Sequence, residues 1–216
     1  MDIDYARQQM VQQQVRSWDV LDDAVLKVLT EVPREHFVPA AYRSLAFAEA
    51  EIPIGRGEVM LTPVVEGRIL QALGIESGAS VLEVGTGTGF LTACLASLGA
   101  DVTSLDIYGE FLSLARRNLD SLGTDGVELL EMDATAALPE RTFDAIAVTG
   151  SLERFDPRFV HALNPGGRLL VVVGTPPAME ARLVVRDGDS DWRSTVLFET
   201  VLKPLVNGRQ PPVFRF

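Results

Sequence analysis

The sequence is poor in the residues that build metal centres and covalent cross-links. Its 216 residues include one cysteine and two histidines. These two residue types therefore cannot supply a tetrahedral metal site by themselves, and no disulfide can form within the chain. Basic residues are also in the minority, 19 against 30 acidic residues, and the formal net charge is −11. Because a nucleic-acid backbone requires a basic surface, we expect no nucleic-acid partner, and we predict no metal site.

Long apolar runs and targeting signals are absent as well. No stretch has the length of a transmembrane helix, and the acidic, glutamine-rich start has none of the features of a signal peptide. These absences favour a cytoplasmic protein with no membrane partner. A hydrophobic content of 47% is ordinary for a globular protein, and at 216 residues we expect one domain with a substantial core.

What the sequence does contain is a glycine-rich turn between an apolar run and a helical pattern. Residues 81–84 lead into Gly85, Gly87 and Gly89, and residues 91–98 carry apolar side chains at helical spacing. This order predicts a strand, a tight turn and a helix, which is the opening of a nucleotide-binding α/β unit. Glycine lets the backbone approach a ligand closely, and the helix N-terminus offers N–H groups to it. A tight turn without a ligand is the alternative.

Two details of this turn favour a cationic ligand over a dinucleotide. The spacing is G-x-G-x-G, whereas the dinucleotide pattern G-x-G-x-x-G would place its third glycine at Phe90. An acid, Glu83, also stands near the end of the predicted strand, where it would repel a pyrophosphate. S-adenosylmethionine, a sulfonium that carries an α-amino group, agrees with both observations.

Acids recur at the ends of the predicted strands. Two further strands lead into Asp106 and Asp133, and Asp106 lies 21 residues after Gly85, where a carboxylate meets ribose hydroxyls in this class of fold. Parallel strands end at the same edge of a sheet, so Glu83, Asp106 and Asp133 are expected to share the edge where ligands bind. Each acid alone is equally typical of a surface loop, but the repetition favours a site.

The core is predicted to alternate strands and helices around a mostly parallel sheet. Apolar runs without alternation indicate strands that are buried on both faces. The predicted strands after the first cover residues 101–106, 127–132, 143–149 and 167–173, and the predicted helices cover 63–73 and 111–122. The pattern then changes, and Asp187-Gly188 between two β-like runs predicts an antiparallel hairpin at the sheet edge.

The chain before the core is predicted to be helical over residues 1–30, with Leu21 on the apolar face and Asp22 or Asp23 as the cap of a second helix. Pro33 is expected to stop this helix. The simplest interpretation of Arg34 and His36 is a solvated loop, and for His36 we prefer it. Residues 46–62 are expected to be irregular and to form a lid or substrate segment. Its turns would be set by Pro53, Gly55 and Gly57.

With these motifs in view, the sequence resembles the protein-L-isoaspartate O-methyltransferases over nearly its whole length. The glycine turn is shared with methyltransferases of many kinds. More specific are VPREHFVP at 32–39 and IPIG at 52–55, with further matches at 143–146, 166–169 and 203–205. The resemblance implies an α/β fold, a Rossmann-like seven-stranded methyltransferase sheet with helices on both faces, an N-terminal helical extension and a C-terminal antiparallel hairpin.

The resemblance also implies a division of the single domain and a cofactor, S-adenosyl-L-methionine. Residues 1–62 would form the N-terminal helical and lid segment, 63–178 the cofactor-binding core and 179–216 the C-terminal hairpin. The segment from Glu83 to Gly89 would face the methionine part, Asp106 the ribose and Asp133 the adenine. The residues implied to bind the cofactor are Glu83, Gly85, Thr86, Gly87, Thr88, Gly89, Asp106, Ile107, Asp133, Ala134 and Thr149.

The sequence departs from the family in the loop before the predicted helix at 63–73. The family usually has G-x-G-Q-T-I-S-x-P there, and this chain has GRGEVMLTP. Glu58, Val59 and Leu61 thus stand where the family has glutamine, threonine and serine, and two hydroxyls are missing where the acceptor carboxylate is held. The candidate catalytic residues are Leu61, at the position of the family serine, Thr62 beside it, and Glu58.

These observations leave two classes of function open. The first is an enzyme that methylates the carboxylate of isoaspartyl residues in damaged proteins or peptides, or a less polar acceptor suited to Val59, Met60 and Leu61, unless these three merely pack beneath the lid. A carboxylate is ionised at neutral pH, so alignment of the reactants matters more than a general base. The second is a cofactor-binding protein without transferase activity that senses the cofactor or scaffolds a partner. We expect a monomer or a dimer.

Overall fold

A seven-stranded sheet forms the centre of the protein, of which the computed structural model describes residues 2–188 and 191–208. The strands are β1 (Ile52–Gly55), β2 (Glu58–Met60), β3 (Ser80–Val84), β4 (Asp101–Asp106), β5 (Val127–Glu131), β6 (Phe143–Leu152), β7 (Leu163–Thr175), β8 (Ala178–Arg186) and β9 (Trp192–Glu199). The large sheet has the order β5-β4-β3-β6-β7-β8-β9. Strands β3 to β7 are parallel to one another, and β8 and β9 are antiparallel to their neighbours.

Helices pack against both faces of this sheet. They are α1 (Ile3–Gln9), α2 (Asp23–Glu31), α3 (Arg34–Phe37), α4 (Pro63–Leu73), α5 (Phe90–Ser97), α6 (Gly109–Ser121) and α7 (Arg158–His161). Helix α4 begins where the sequence predicts, because Thr62 caps it and Pro63 occupies its first position. The predicted fold class is confirmed.

The central parallel strands are buried on both faces, as their apolar runs predict, but the edge strand β5 is not. Adjacent residues of a strand point to opposite faces, and in β3 both Val81 and Leu82 are fully buried. Val81 belongs to a core that includes Leu70 of α4 and Leu95 of α5, whereas Leu82 belongs to a second core that includes Phe159 of α7. Strand β3 at the centre therefore has no solvent-facing side, whereas the edge strand β5 leaves Glu128 and Glu131 exposed.

The predicted helix over residues 1–30 is interrupted. Helix α1 continues into a wider π-type turn over Met10–Val15 and a 3-10 turn over Arg16–Trp18. Helix α2 begins after Asp22, whose carboxylate accepts hydrogen bonds from the first N–H groups of the helix. Leu21, which the spacing places on the buried face, is 63% exposed because it precedes the helix.

The interpretation of Arg34 as a solvated loop residue is wrong. Helix α2 ends before Pro33 as predicted, but α3 follows at once and its Arg34 side chain is fully buried. The guanidinium pairs with Glu66 of α4 and donates a hydrogen bond of 2.9 Å to the carbonyl of Ala46. A buried charge is tolerated only with such partners, and these partners lie far away in the sequence. His36 is exposed, as expected, but it lies in α3 and not in a loop.

Part of the segment at 46–62, expected to be irregular, is an antiparallel hairpin of β1 and β2. Arg56 and Gly57 form its two-residue turn with φ of 53° and 75°, the geometry of a tight hairpin turn. The strands are too short for alternation to show, and Pro53 is tolerated because the pair is a small sheet of its own. A Cβ on Gly87 would lie 3.2 Å from Cδ1 of Ile54, so the hairpin lies against the glycine turn.

The sheet ends in the predicted antiparallel hairpin of β8 and β9, and the N–H of Asp187 donates across it to the carbonyl of Asp191 at 2.9 Å. Beyond β9 the chain returns to β6. The N–H of Ser151 donates to the carbonyl of Lys203 at 2.7 Å, and the N–H of Leu205 donates to the carbonyl of Ser151 at 2.9 Å. This bridge holds residues 203–205 beside β6 at the centre of the sheet.

Across residues 2–188 and 191–208, every helix is too short or too polar to cross a lipid bilayer.

Candidate active site

A cavity opens where the strand order switches between β3 and β6, at the carboxyl ends of the parallel strands. Ligands of open α/β sheets bind in this crevice. We call the space found here the main cavity. The sequence-predicted residues that line it are Glu58, Leu61, Gly85, Gly87, Asp106, Ile107, Asp133, Ala134 and Thr149.

A smaller inner cavity adjoins the main cavity behind the glycine turn. Leu61, Gly85 and Thr149 line both spaces. Of the sequence-predicted residues, Glu83, Thr86 and Thr88 line the inner cavity without reaching the main one, and Gly89 and Thr62 line neither.

The glycine turn is locked directly onto β6. Gly85 has a φ of 102°, and a Cβ on it would lie 2.1 Å from Oγ1 of Thr149, so only glycine fits at this position. The Thr149 hydroxyl donates to the carbonyl of Val84 at 2.9 Å. Because of this close approach, the cavity surface between β3 and β6 consists of backbone atoms at Gly85.

Asp106 holds the other side of the turn. Its Oδ2 accepts a hydrogen bond of 2.9 Å from the N–H of Gly87, and its Oδ1 accepts one of 3.0 Å from the N–H of Tyr108. Burial raises the pKa of the Asp106 carboxyl, and the backbone hydrogen bonds oppose that rise. Each carboxylate oxygen can accept more than one bond, so both can also accept from a ligand hydroxyl.

Asp133 is fixed further along the same edge. The N–H and hydroxyl of Thr135 donate to its Oδ1 at 2.8 and 2.6 Å, and the Asn207 amide donates to its Oδ2 at 2.9 Å. Partial burial raises the pKa of Asp133, but these hydrogen bonds outweigh burial and leave the pKa below its usual value. Asp133 is therefore an ionised acceptor beside the buried, apolar Ala134.

Glu83 lies beneath the glycine turn. Its Oε2 accepts hydrogen bonds from the hydroxyls of Thr92 and Ser104, the latter at 2.6 Å. Its Oε1 is buried and has no partner among the described residues. Burial raises the pKa of Glu83 to about 7 against the opposing effect of the two hydroxyls. A buried oxygen without a partner is the kind of atom that a ligand or an ordered water satisfies.

Another part of the cavity wall comes from the β1–β2 hairpin, which lies against the glycine turn, and from the residues after it. Leu61 is 9% exposed, and its backbone carbonyl accepts a hydrogen bond of 2.6 Å from Arg34. Val59 and Glu58 line the main cavity beside it. This part of the wall thus presents carbon atoms and one carboxylate to whatever enters.

Thr62 lines neither the main cavity nor the inner cavity. Its hydroxyl oxygen accepts a hydrogen bond of 3.4 Å from the N–H of Val65 and so caps α4. Its side chain borders a separate groove with Trp18 and Phe198. The structure therefore does not bring the Thr62 hydroxyl to the place where Leu61 has replaced the family serine.

The sequence did not indicate the part of the main-cavity wall that residues 203–206 form. Lys203, Pro204, Leu205 and Val206 line the main cavity because Ser151 anchors them beside β6. A feature of the sequence that could have indicated these residues is that the family resemblance extends to residue 205. Glu51, Tyr108 and Phe111 were missed as well, since nothing in their local pattern marks them.

The residues present fit S-adenosylmethionine. The floor at Gly85 is bare backbone, Asp106 offers acceptor oxygens to ribose hydroxyls, and the unpartnered oxygen of Glu83 lies behind the turn. The main cavity is also lined by more carboxylates than cations, which suits a sulfonium.

Comparison with known proteins extends this picture. Residues 5–210 match the family model described as protein-L-isoaspartate(D-aspartate) O-methyltransferase. The chain is 34% identical to the protein-L-isoaspartate O-methyltransferase of Koribacter versatilis, over 94% of this chain and 91% of that protein. It is 38% identical to the protein of the same name from Gloeobacter violaceus, over 77% of this chain and 82% of that protein.

Solved structures agree on the fold. A Plasmodium falciparum protein assigned as a protein-L-isoaspartate O-methyltransferase, crystallised with S-adenosyl-L-homocysteine, superposes with a TM-score of 0.80 at 17% identity. The match covers 93% of this chain and 98% of that one.

Proposed function

This chain belongs to the protein-L-isoaspartate(D-aspartate) O-methyltransferase family, and we propose that it methylates the α-carboxylate of isoaspartyl residues in damaged proteins or peptides. Like the family, it is an S-adenosylmethionine-dependent O-methyltransferase. The observation that carries the choice of acceptor is the continuity of one cavity. Gly85, Gly87, Asp106 and Asp133 line it together with Glu58, Val59 and Leu61.

In this proposal the carboxyl edge of the sheet holds the cofactor. The backbone around Gly85 and Gly87 lies beside its methionine part, Asp106 accepts hydrogen bonds from the ribose hydroxyls, and Asp133 accepts one from the adenine amino group. Ala134 and Ile107 contribute apolar surface to the adenine end. The bound cofactor supplies a methyl group on a positively charged sulfur.

The protein's own contribution to the transfer step is alignment. A carboxylate is already ionised near neutral pH, so the acceptor needs no general base. Holding the acceptor oxygen in line with the methyl group removes most of the entropic cost of bringing two reactants together. Leu61 and Val59 exclude water from this side of the cavity, and the hydrogen bond from Arg34 fixes the backbone of Leu61.

A second acceptor class has one observation in its favour. The wall made by Val59 and Leu61 is apolar and has no hydroxyl to hold a carboxylate. A less polar nucleophile would make more apolar contacts with this wall than a carboxylate, but its position would be less precisely fixed. Cofactor binding without transfer to a carboxylate would favour this class.

The deciding experiment compares two peptides of identical sequence, one with an isoaspartyl and one with an ordinary aspartyl residue. We expect the wild-type protein to transfer labelled methyl groups from S-adenosylmethionine to the isoaspartyl peptide only. Equal labelling of both peptides would contradict recognition of the isoaspartyl linkage. If calorimetry detects cofactor binding but neither peptide is labelled, the acceptor is of another class. A cytoplasmic location and a monomeric or dimeric state stay predictions.

A further inference from the structure

We propose that Lys203 is the anion-binding residue of the acceptor site and holds the carboxylate of the incoming substrate. This inference rests on the proposed function, because it assigns the contact that a carboxylate acceptor makes. Neither the glycine turn nor the acids at the strand ends indicate a role for Lys203.

The charge distribution of the main cavity is the first argument. Glu51, Glu58, Asp106 and Asp133 place four acidic side chains in its lining. Among the residues that the structure describes, Lys203 is the single lysine or arginine in that lining. A carboxylate entering this space is repelled by the acids unless a cation compensates them. Lys203 is the cation that the cavity offers.

The nearby arginines are engaged elsewhere. Arg56, in the turn of the β1–β2 hairpin, donates two hydrogen bonds of 2.7 Å to Glu110 of α6 and does not line the main cavity. Arg34 is fully buried against Glu66. Lys203, in contrast, has no hydrogen bond or ion pair within residues 2–188 and 191–208, so its ammonium group is available.

The position of Lys203 is fixed by its backbone. Its carbonyl accepts the 2.7 Å hydrogen bond from the N–H of Ser151, which is itself 1% exposed. The side chain extends toward the β1–β2 hairpin, where a Cβ on Gly57 would lie 3.8 Å from Nζ. The ammonium therefore stands beside the turn of the β1–β2 hairpin, in the lining of the cavity that Leu61 also borders, and it offers a charge where the family's hydroxyl donors are missing.

Lysine is also a rare residue in this chain. Of the 19 basic residues, 17 are arginines, and lysine occurs only at positions 27 and 203. Lys27 lies on α2, where it is exposed and 3.8 Å from Glu31. A compact ammonium fits beside a reacting carboxylate without covering both of its oxygens, whereas the fork of an arginine occupies both. One oxygen then stays free to attack.

The change of charge during methyl transfer predicts which kinetic constant Lys203 affects. In the transfer, one carboxylate oxygen forms a bond to the methyl carbon as the bond from that carbon to sulfur breaks, and the anion and the sulfonium both become neutral. Lys203 therefore attracts the charged acceptor more strongly than the neutral ester product. A contact that binds the carboxylate in the ground state and is largely kept in the transition state lowers KM and does little for kcat.

The test uses Lys203→Met, with Lys203→Arg as the conservative variant and Lys27→Met as the matched control. We expect Lys203→Met to raise KM for the isoaspartyl peptide about tenfold, with kcat changed less than about threefold, as for loss of a charged hydrogen bond. Lys203→Arg should recover most of the affinity, and Lys27→Met should behave as wild type. Unchanged KM in Lys203→Met would overturn the inference. Weaker cofactor binding with unchanged KM would assign Lys203 to the cofactor carboxylate and overturn it too.

A second readout does not depend on turnover. A lysine-acylating reagent followed by mass spectrometry reports Lys203 and Lys27 separately in one sample. We expect the isoaspartyl peptide, in the presence of S-adenosylhomocysteine, to protect Lys203 and leave Lys27 reactive. If wild-type protein methylates no isoaspartyl peptide, the proposed function fails. Protection of Lys203 by the peptide would still support the anion site, and equal reactivity with and without peptide would refute it.

Discussion

The guanidinium of Arg34 donates a hydrogen bond of 2.6 Å to the backbone carbonyl of Leu61. The same side chain pairs with Glu66 at the start of α4 and lies 4.9 Å from the ring centre of Phe90 at the start of α5. One buried residue of the N-terminal part thus connects Leu61, in the wall of the main cavity, to helices α4 and α5. The geometry of Leu61 depends on this connection.

We expect Arg34→Met and Glu66→Leu to destabilise the protein by about 3–5 kcal/mol each, because either change leaves a buried charge without its partner. The double variant should be closer to wild type than either single variant. Urea unfolding of all four proteins gives the coupling energy directly. If the double variant loses the sum of the two single effects, the ion pair is not coupled and this account of Arg34 fails.

Glu83 should make the stability of the cofactor-free protein depend on pH. Its pKa of about 7 in the folded protein lies above its ordinary value of 4.5, so the folded state binds more protons than the unfolded state between these values. Its contribution to stability is therefore full below pH about 4.5 and is lost as the pH rises through about 7. One pKa unit corresponds to about 1.4 kcal/mol, which makes the loss on the order of 3 kcal/mol.

Urea unfolding at pH 5 and pH 8 checks this expectation. Burial raises the pKa of Glu66 as well, so wild-type protein should lose stability over this range through both acids. Glu83→Gln should lose clearly less than wild type, and the exposed Glu76→Gln should lose as much. A Glu83→Gln variant with the wild-type pH dependence would show that this carboxyl does not titrate in that window.

Asp106 and Asp101 stand at opposite ends of β4 and provide a matched pair of substitutions. Asp106→Ala should weaken binding of S-adenosylmethionine by about 10–100-fold, because it removes a charged acceptor and releases the N–H of Gly87. Asp101→Ala, at the exposed amino end of the strand, should bind as wild type. Calorimetry measures both, and equal affinity of the two variants would remove Asp106 from the cofactor site.

Hydroxyl side chains at positions 59 and 61, in the wall of the main cavity, should raise activity on isoaspartyl peptides. If hydrogen bonding limits the transfer step, Leu61→Ser combined with Val59→Thr should gain about 10–100-fold in kcat/KM. Cofactor affinity should stay nearly unchanged, because in the proposed function these side chains face the acceptor. Stability should fall by about 1–3 kcal/mol if the new hydroxyls lack partners.

Initial rates, calorimetry and urea unfolding of one preparation separate these effects. Val196→Thr, exposed on β9, controls for the substitution itself. A wild-type protein that is already as fast as the double variant would show that Leu61 does not limit ordinary repair activity. If both proteins bind cofactor and neither labels the peptide, the acceptor is of another class.

The parts of the site that could be predicted from the sequence are those whose signal is local. The glycine spacing at 85–89 and the acid that ends each strand follow from backbone geometry and sheet topology within one βα unit. Arg34 has no local signal, because its partners Glu66 and Leu61 lie 32 and 27 residues away. Lys203 reaches the cavity only through a bridge to Ser151, and pairing over such a distance leaves no periodic pattern.

The bridge at Ser151 also means that part of the main cavity is synthesised after every strand of the sheet. Residues 203–205 follow every strand of the sheet in the chain, so a ribosome completes the sheet and the cofactor edge before it supplies this wall. A chain that ends before residue 203 would therefore contain every strand of the sheet, but its main cavity would lack the wall that Lys203, Pro204, Leu205 and Val206 form.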